Sequence, residues 1–182
     1  MNSQEELIQE LKKLTLKSVE QFSFNGINTL AMCARVYDGD TITVMFEFKD
    51  EFIKSNLRLT GLDTPELHSA VEAEAEAARI GQQYLSNLIL NEIIRVELGD
   101  LDKYGRILAT IYTFDSNENI NQLMITKGFA RAYGEDGDLH KGVWTEDELN
   151  KAKQNLATVA EPVAPAAGPI KKASTKKPIK LI

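Results

Sequence analysis

At 182 residues, with 43% hydrophobic and 26% charged side chains, the chain has room for one domain with a sizeable core. No apolar run approaches the roughly 20 residues of a spanning helix, and the single cysteine, Cys33, excludes an internal disulfide and a cysteine-based zinc site. Five lysines and no acid in residues 162–182 take +5 of a net charge of −6 and leave −11 on residues 1–161. So acidic a body gains little from counterion release and repels phosphates at long range, so any phosphate chemistry must be local.

The polar, acidic first ten residues lack the basic start and apolar run of a secretory signal, so an intracellular location is expected. Residues 3–19 read as a helix, with Ser3 and Glu6 as a capping box and Leu7, Ile8, Leu11 and Leu14 on one side. This stripe is expected to pack on the body of the same chain, and residues 1–25 are read as an N-terminal extension. Leu30, Met32, Ala34 and Val36 alternate as a first strand, and Ile42, Val44, Phe46 and Phe48 as a second, with Asp38-Gly39-Asp40 as the hairpin turn between them. After a turn near residues 49–51, Leu57 and Leu59 alternate with Arg58 and Thr60 in a third strand, stopped by Gly61 and Pro65. Three strands so close together suggest a small barrel or a sandwich.

Residues 71–90 form the clearest helix, apolar at Val71, Ala75, Ala78, Leu85 and Ile89, with Gln82 as the one polar interruption. A helix of about 30 Å can cross and plug one end of a small barrel. Strands resume at Ile94, Val96 and Leu98, then at Ile107, Ala109 and Ile111 after the turn 102–106, which makes five in all. A capped helix spans 119–127 with Gly128 as its stop, and Thr145 and Glu148 open a last one to about Leu156. Cys33, Met45 and Trp144 read as packing residues, and His68 and His140 need no role. Beyond residue 157 the composition collapses to Ala, Pro, Gly, Ser, Thr and Lys, so residues 158–182 read as a disordered tail after a domain at 26–157.

The chemistry concentrates in three runs: Asp38-Gly39-Asp40-Thr41, the stretch 56–66 (N-L-R-L-T-G-L-D-T-P-E), and Asp102-Lys103-Tyr104-Gly105-Arg106. Each alone can be an ordinary turn, and Asp63-Thr64-Pro65-Glu66 alone can be a helix start. Together they offer more. Asp38, Asp40 and Asp63 are hard oxygen donors suited to calcium or magnesium rather than zinc, provided the hairpin and the end of the third strand share a rim. Arg58 and Arg106 can grip a phosphate bidentately with charge that does not titrate, and Glu66 remains as a base. That set is a phosphodiesterase constellation.

In order and spacing, the runs 36–41, 58–66 and 102–106 resemble the staphylococcal nuclease (thermonuclease) family, the likeness extending from about Ala31 to Tyr133 through Gly128-Phe129-Ala130. The resemblance implies a five-stranded OB-fold β-barrel with about three packed helices. It also implies a calcium-dependent nuclease, with magnesium as an alternative, that cuts the 5′ P–O bond of DNA or RNA and leaves 3′-phosphates. Carried over residue by residue, it makes Asp40, Asp63 and the Thr64 carbonyl metal ligands, with Asp38 a carboxylate behind them. Arg58 and Arg106 become phosphate clamps and Glu66 the group that activates water, while Lys103, Tyr104 and Tyr133 meet the nucleic-acid substrate. One departure is the short step from Glu66 through Leu67-His68-Ser69-Ala70 into an acidic helix, where many relatives have a longer lysine-bearing loop.

The rival reading is a catalytically inactive OB-fold module that binds single-stranded nucleic acid or a protein. Against it, a binder has no use for every catalytic residue type, and a single-strand binder wants more aromatics than 7% and a basic groove. The residues fix no oligomeric state; a monomer is the expectation.

Overall fold

Alternating apolar residues need a shared interior, and five strands create one by closing on each other. The computed structural model describes residues 3–134 and 143–155. In chain order the elements are α1 (Gln4–Leu11), β1 (Ile27–Val36), β2 (Thr41–Phe48), β3 (Glu51–Leu59), β4 (Leu62–Asp63), α2 (Glu72–Ile89), β5 (Ile93–Leu101), β6 (Ile107–Thr113), α3 (Ile120–Thr126), β7 (Arg131–Ala132) and α4 (Glu146–Gln154). The barrel runs β1-β2-β3-β6-β5, and β4 and β7 form a separate two-stranded sheet. Every barrel pairing is antiparallel except β3 with β6, which closes the ring. This is the expected five-stranded OB-type barrel.

The interior is filled by every second side chain: Ile42, Val44 and Phe46 from β2, Leu57 and Leu59 from β3, Ile94 and Val96 from β5, Ile107 and Ile111 from β6. Each such aliphatic burial is worth about 1.5–3 kcal/mol. Lys49 and Asp50 both have positive φ, the backbone a tight two-residue hairpin between β2 and β3 needs. Helices α2 and α3 bring Leu85, Ile89, Ile120 and Met124 into the same core, while Leu149 and Ala152 of α4 seat it against α2. Gly128, at φ +75°, ends α3 as the sequence predicts.

Strand β1 corrects one expectation. Its inward residues are Ala31, Cys33 and Val36, whereas Leu30 is about half exposed. A register shift between Cys33 and Arg35 changes the phase of the strand, so the alternation from Leu30 to Val36 does not lie on one face. Cys33 is a core residue as expected, its thiol pushed up to about 11 by burial. Met45, read as packing, faces outward at 37% exposure, opposite Lys54.

The N-terminal helix also differs. Its capping box forms, but it stops at Leu11, short of the predicted residue 19, and further on Ser18 accepts the Thr15 N–H and donates to the Thr15 carbonyl in a separate local turn. No residue of α1 is buried, so the predicted packing of Leu7, Ile8, Leu11 and Leu14 on the barrel is not formed. The chain docks instead through Phe24, whose ring lies 5.3 Å from Phe48 and 6.3 Å from Phe46. The predicted tail at 158–182, the end of the last helix at Leu156 and His140 lie outside the described residues.

Candidate active site

Barrel closure gathers the three runs. Arg58 pairs with Thr41 on one side, and the parallel register Leu57–Ile107 sets β6 on the other, so the residue before β6, Arg106, arrives beside Arg58 and the first hairpin. The Leu59 N–H donates to the Asp40 carbonyl at 2.8 Å, fixing the hairpin against β3. Asp38 Oδ1 accepts the N–H groups of Asp40 and Thr41, and Gln82 on α2 donates to the Val36 and Tyr37 carbonyls. Gln82, a polar break in the helix pattern, thus ties α2 to the carboxylate turn. Gly39 is required there, since a Cβ would sit 2.8 Å from Thr64 Cγ2.

The result is an open cleft of about 970 Å³, lined among others by Asp38, Asp40, Arg58, Thr64, Glu66, Lys103, Tyr104, Arg106 and Tyr133. Of the predicted site residues, Asp63 alone is set back from this lining, with its side chain 2% exposed. Its Oδ2 accepts from Arg131 Nη2 at 2.9 Å and Nε at 3.2 Å.

Arg58 is held from several directions. It donates to the carbonyls of Leu59 (2.6 Å) and Leu62 (3.0 Å) and forms an ion pair with Asp40 Oδ2 at 3.0 Å. Asp40 also accepts from the hydroxyls of Thr41 and Thr64. Burial pushes the Asp40 carboxyl up; Arg58 opposes that shift and the neighbouring Asp38 adds to it. Across the cleft, Arg106 Nε donates to Asp102 Oδ2 at 2.7 Å and Nη1 to Thr41 Oγ1 at 3.0 Å. Asp102 Oδ1 accepts the N–H groups of Tyr104 and Arg106, so one carboxylate shapes the turn and aims the guanidinium. Burial alone would raise the Asp102 carboxyl, but hydrogen bonds from Arg106 and Tyr104 outweigh it and hold the group below its ordinary value. Tyr104, 72% exposed, has Lys103 Nζ at 5.0 Å and the Arg106 guanidinium at 5.5 Å from its ring.

Glu66 is exposed at the rim, and its loop is pinned by Glu74 of α2, which accepts from the Glu66 N–H at 3.2 Å and the Ser69 hydroxyl at 2.6 Å. Asn121 is buried as a structural tie, accepting from Ile111 N–H and donating to the Thr60 and Ala109 carbonyls. Sequence reasoning gave no role to Asp102, Glu74 or Arg131. The spacing of Asp102 and Arg106 within one turn was a usable signal; Arg131 stands 68 residues from Asp63 and carried none.

Among the described residues no three His, Cys, Asp or Glu side chains are grouped as a ready-made metal site. The donors at the cleft are nonetheless chemically suited to a hard cation. The buried Asp40 is penalised as an anion by desolvation and by Asp38, and a divalent cation would relieve both.

Two anchored arginines and several carboxylates thus share one cleft on the rim of an OB-type barrel. The profile of the staphylococcal nuclease homologue family matches residues 56–158. The chain is 30% identical over 131 residues to an uncharacterized endonuclease of Escherichia coli, covering 72% of this chain and 78% of that one. It is 28% identical over 137 residues to a micrococcal nuclease of Shigella flexneri, covering 71% and 73%. The chain belongs to the staphylococcal nuclease homologue family.

Proposed function

We propose that the protein is a divalent-metal-dependent nuclease that hydrolyses phosphodiester bonds of DNA or RNA, cutting the 5′ P–O bond and leaving 3′-phosphates. The observation that carries this reading is the pair of guanidiniums, Arg58 and Arg106, each fixed by a carboxylate and lining one cleft with Glu66. Both can donate to the oxygens of one phosphate, where added negative charge on the phosphorane strengthens the bonds. Glu66 takes a proton from the attacking water as its oxygen bonds to phosphorus. The P–O5′ bond then breaks, and the leaving oxygen takes a proton from solvent. Asp40, Asp63 and the Thr64 carbonyl would hold calcium, or magnesium, with Asp38 behind them. When bound, the ion supplies Lewis-acid polarisation of a phosphate oxygen. Tyr104 offers an exposed ring for a base, and Lys103 and Tyr133 border the substrate path. An intracellular site of action and a monomeric state are part of this proposal.

The test is end analysis of cleaved oligonucleotides with wild type, Glu66→Gln and Arg106→Ala. Wild type should leave 3′-phosphate ends, and both variants should lose about 100-fold or more in rate while staying folded, the scale of an acid–base group or an anion-stabilising donor. Undiminished cleavage by Glu66→Gln, or 5′-phosphate ends from wild type, would overturn it.

A further inference from the structure

Arg131 of β7, next to the cleft-lining Ala132 and Tyr133, is a charge that the proposed chemistry leaves unused. Residues Asp63 and Arg131 are direct partners in the β4–β7 pairing, which the Tyr133 N–H extends by donating to the Gly61 carbonyl. Two guanidinium nitrogens, Nε and Nη2, converge on the same oxygen of Asp63. The guanidinium also lies 4.3 Å from the ring centroid of Trp144, and Nη1 is 3.9 Å from Glu148 Oε1. Both of these supports are themselves anchored: Trp144 packs against the core, and Glu148 is held by the capping box with Thr145 at the start of α4. Arg131 therefore bridges a buried carboxylate, set back behind the cleft lining, to α4.

We infer that Arg131 is a positioning residue, which ties Asp63 to Trp144 and α4 and restricts the rotation of that carboxylate, a ligand of the divalent cation in the reading above. The inference rests on the metal-dependent reading above and assigns a new residue to it. Two effects of Arg131 on a cation oppose each other. Its positive charge repels the ion, whereas its planar fork and stacking surface stop the carboxylate from rotating. A charge acting alone predicts tighter metal binding when Arg131 is neutralised; positioning predicts weaker binding. A lysine keeps the charge but has neither fork nor flat face, so it can restore only part of the effect.

The experiment is calorimetric titration of the full chain with calcium alone, without nucleic acid, for wild type, Arg131→Gln, Arg131→Lys and Trp144→Leu. Arg131→Gln should weaken calcium binding by about 10-fold or more, the scale seen when the partner that orients a metal ligand is removed. Arg131→Lys should recover part of that loss, and Trp144→Leu should show a smaller one. Trp144 is the only tryptophan in the chain, so its fluorescence reads the same link independently. Calcium should change its emission in wild type and not in Arg131→Gln. Equal or tighter calcium binding in Arg131→Gln would overturn the inference while leaving the nuclease reading intact. Should Arg131→Gln fail to fold, unchanged affinity in both Arg131→Lys and Trp144→Leu overturns it equally. A wild type that binds neither calcium nor magnesium would overturn the metal-dependent reading and this inference together.

Discussion

Replacing Asp102 by asparagine should damage catalysis more than stability. In the native turn Oδ2 takes the Arg106 Nε–H at 2.7 Å and Oδ1 takes two backbone N–H groups at 2.8 and 2.9 Å. The amide oxygen of an asparagine can keep the backbone bonds, but its NH₂ then faces Nε–H, donor against donor. Losing one charge-assisted bond and weakening two others costs about 2 kcal/mol on the usual scale of such bonds, after discounting for the 27% exposure of Arg106. For a chain of this length that lowers Tm by about 4–8 °C. An Arg106 guanidinium freed to swing by about 1 Å should lose on the order of 100-fold in kcat, with a smaller change in KM. The stability difference should also depend on pH. Because the native carboxyl is held below its unfolded value, its contribution is complete above the ordinary carboxylate range and fades as pH falls through the depressed native value. Wild type and Asp102→Asn should therefore converge in acid. Thermal melts from neutral pH down to well below the ordinary carboxylate range, and single-turnover cleavage, measure both effects. A variant with lowered Tm but full kcat would refute the claim that Asp102 aims Arg106.

Two further substitutions separate binding from architecture. Tyr104→Ala, at a 72% exposed position, should leave Tm unchanged and raise KM by about 5- to 150-fold if a base stacks on the ring, as read from initial rates over a substrate series. Gly39→Ala should cost about 1–3 kcal/mol by overpacking, because its Cβ would press on Thr64, and should weaken calcium binding in the same titration.

The parts of the site legible in the sequence are those that strand ends deliver. Arg58 alternates against Leu57 and Leu59, Glu66 follows the stop, and Arg106 immediately precedes β6, so their convergence needed only the barrel to close. Closure itself depends on one parallel pairing between β3 and β6, which local periodicity cannot announce. The phase of β1 was misread because its register shift leaves no residue-type signature between Cys33 and Arg35. The stripe on α1 reads as a packing face, yet Phe24 occupies the barrel contact instead. Arg131 was invisible for a similar reason: a single arginine after Gly-Phe-Ala gains meaning only when β7 is laid against β4.

The central claim, metal-dependent cleavage by the carboxylates and arginines of one cleft, is tested most directly by incubating labelled single-stranded DNA and RNA with the purified chain. Calcium, magnesium and chelator are compared, with Glu66→Ala alongside. Cleavage that requires the metal and disappears in the variant is the predicted result. Tight, metal-independent binding without cleavage under any condition would contradict it and make the barrel a binding module.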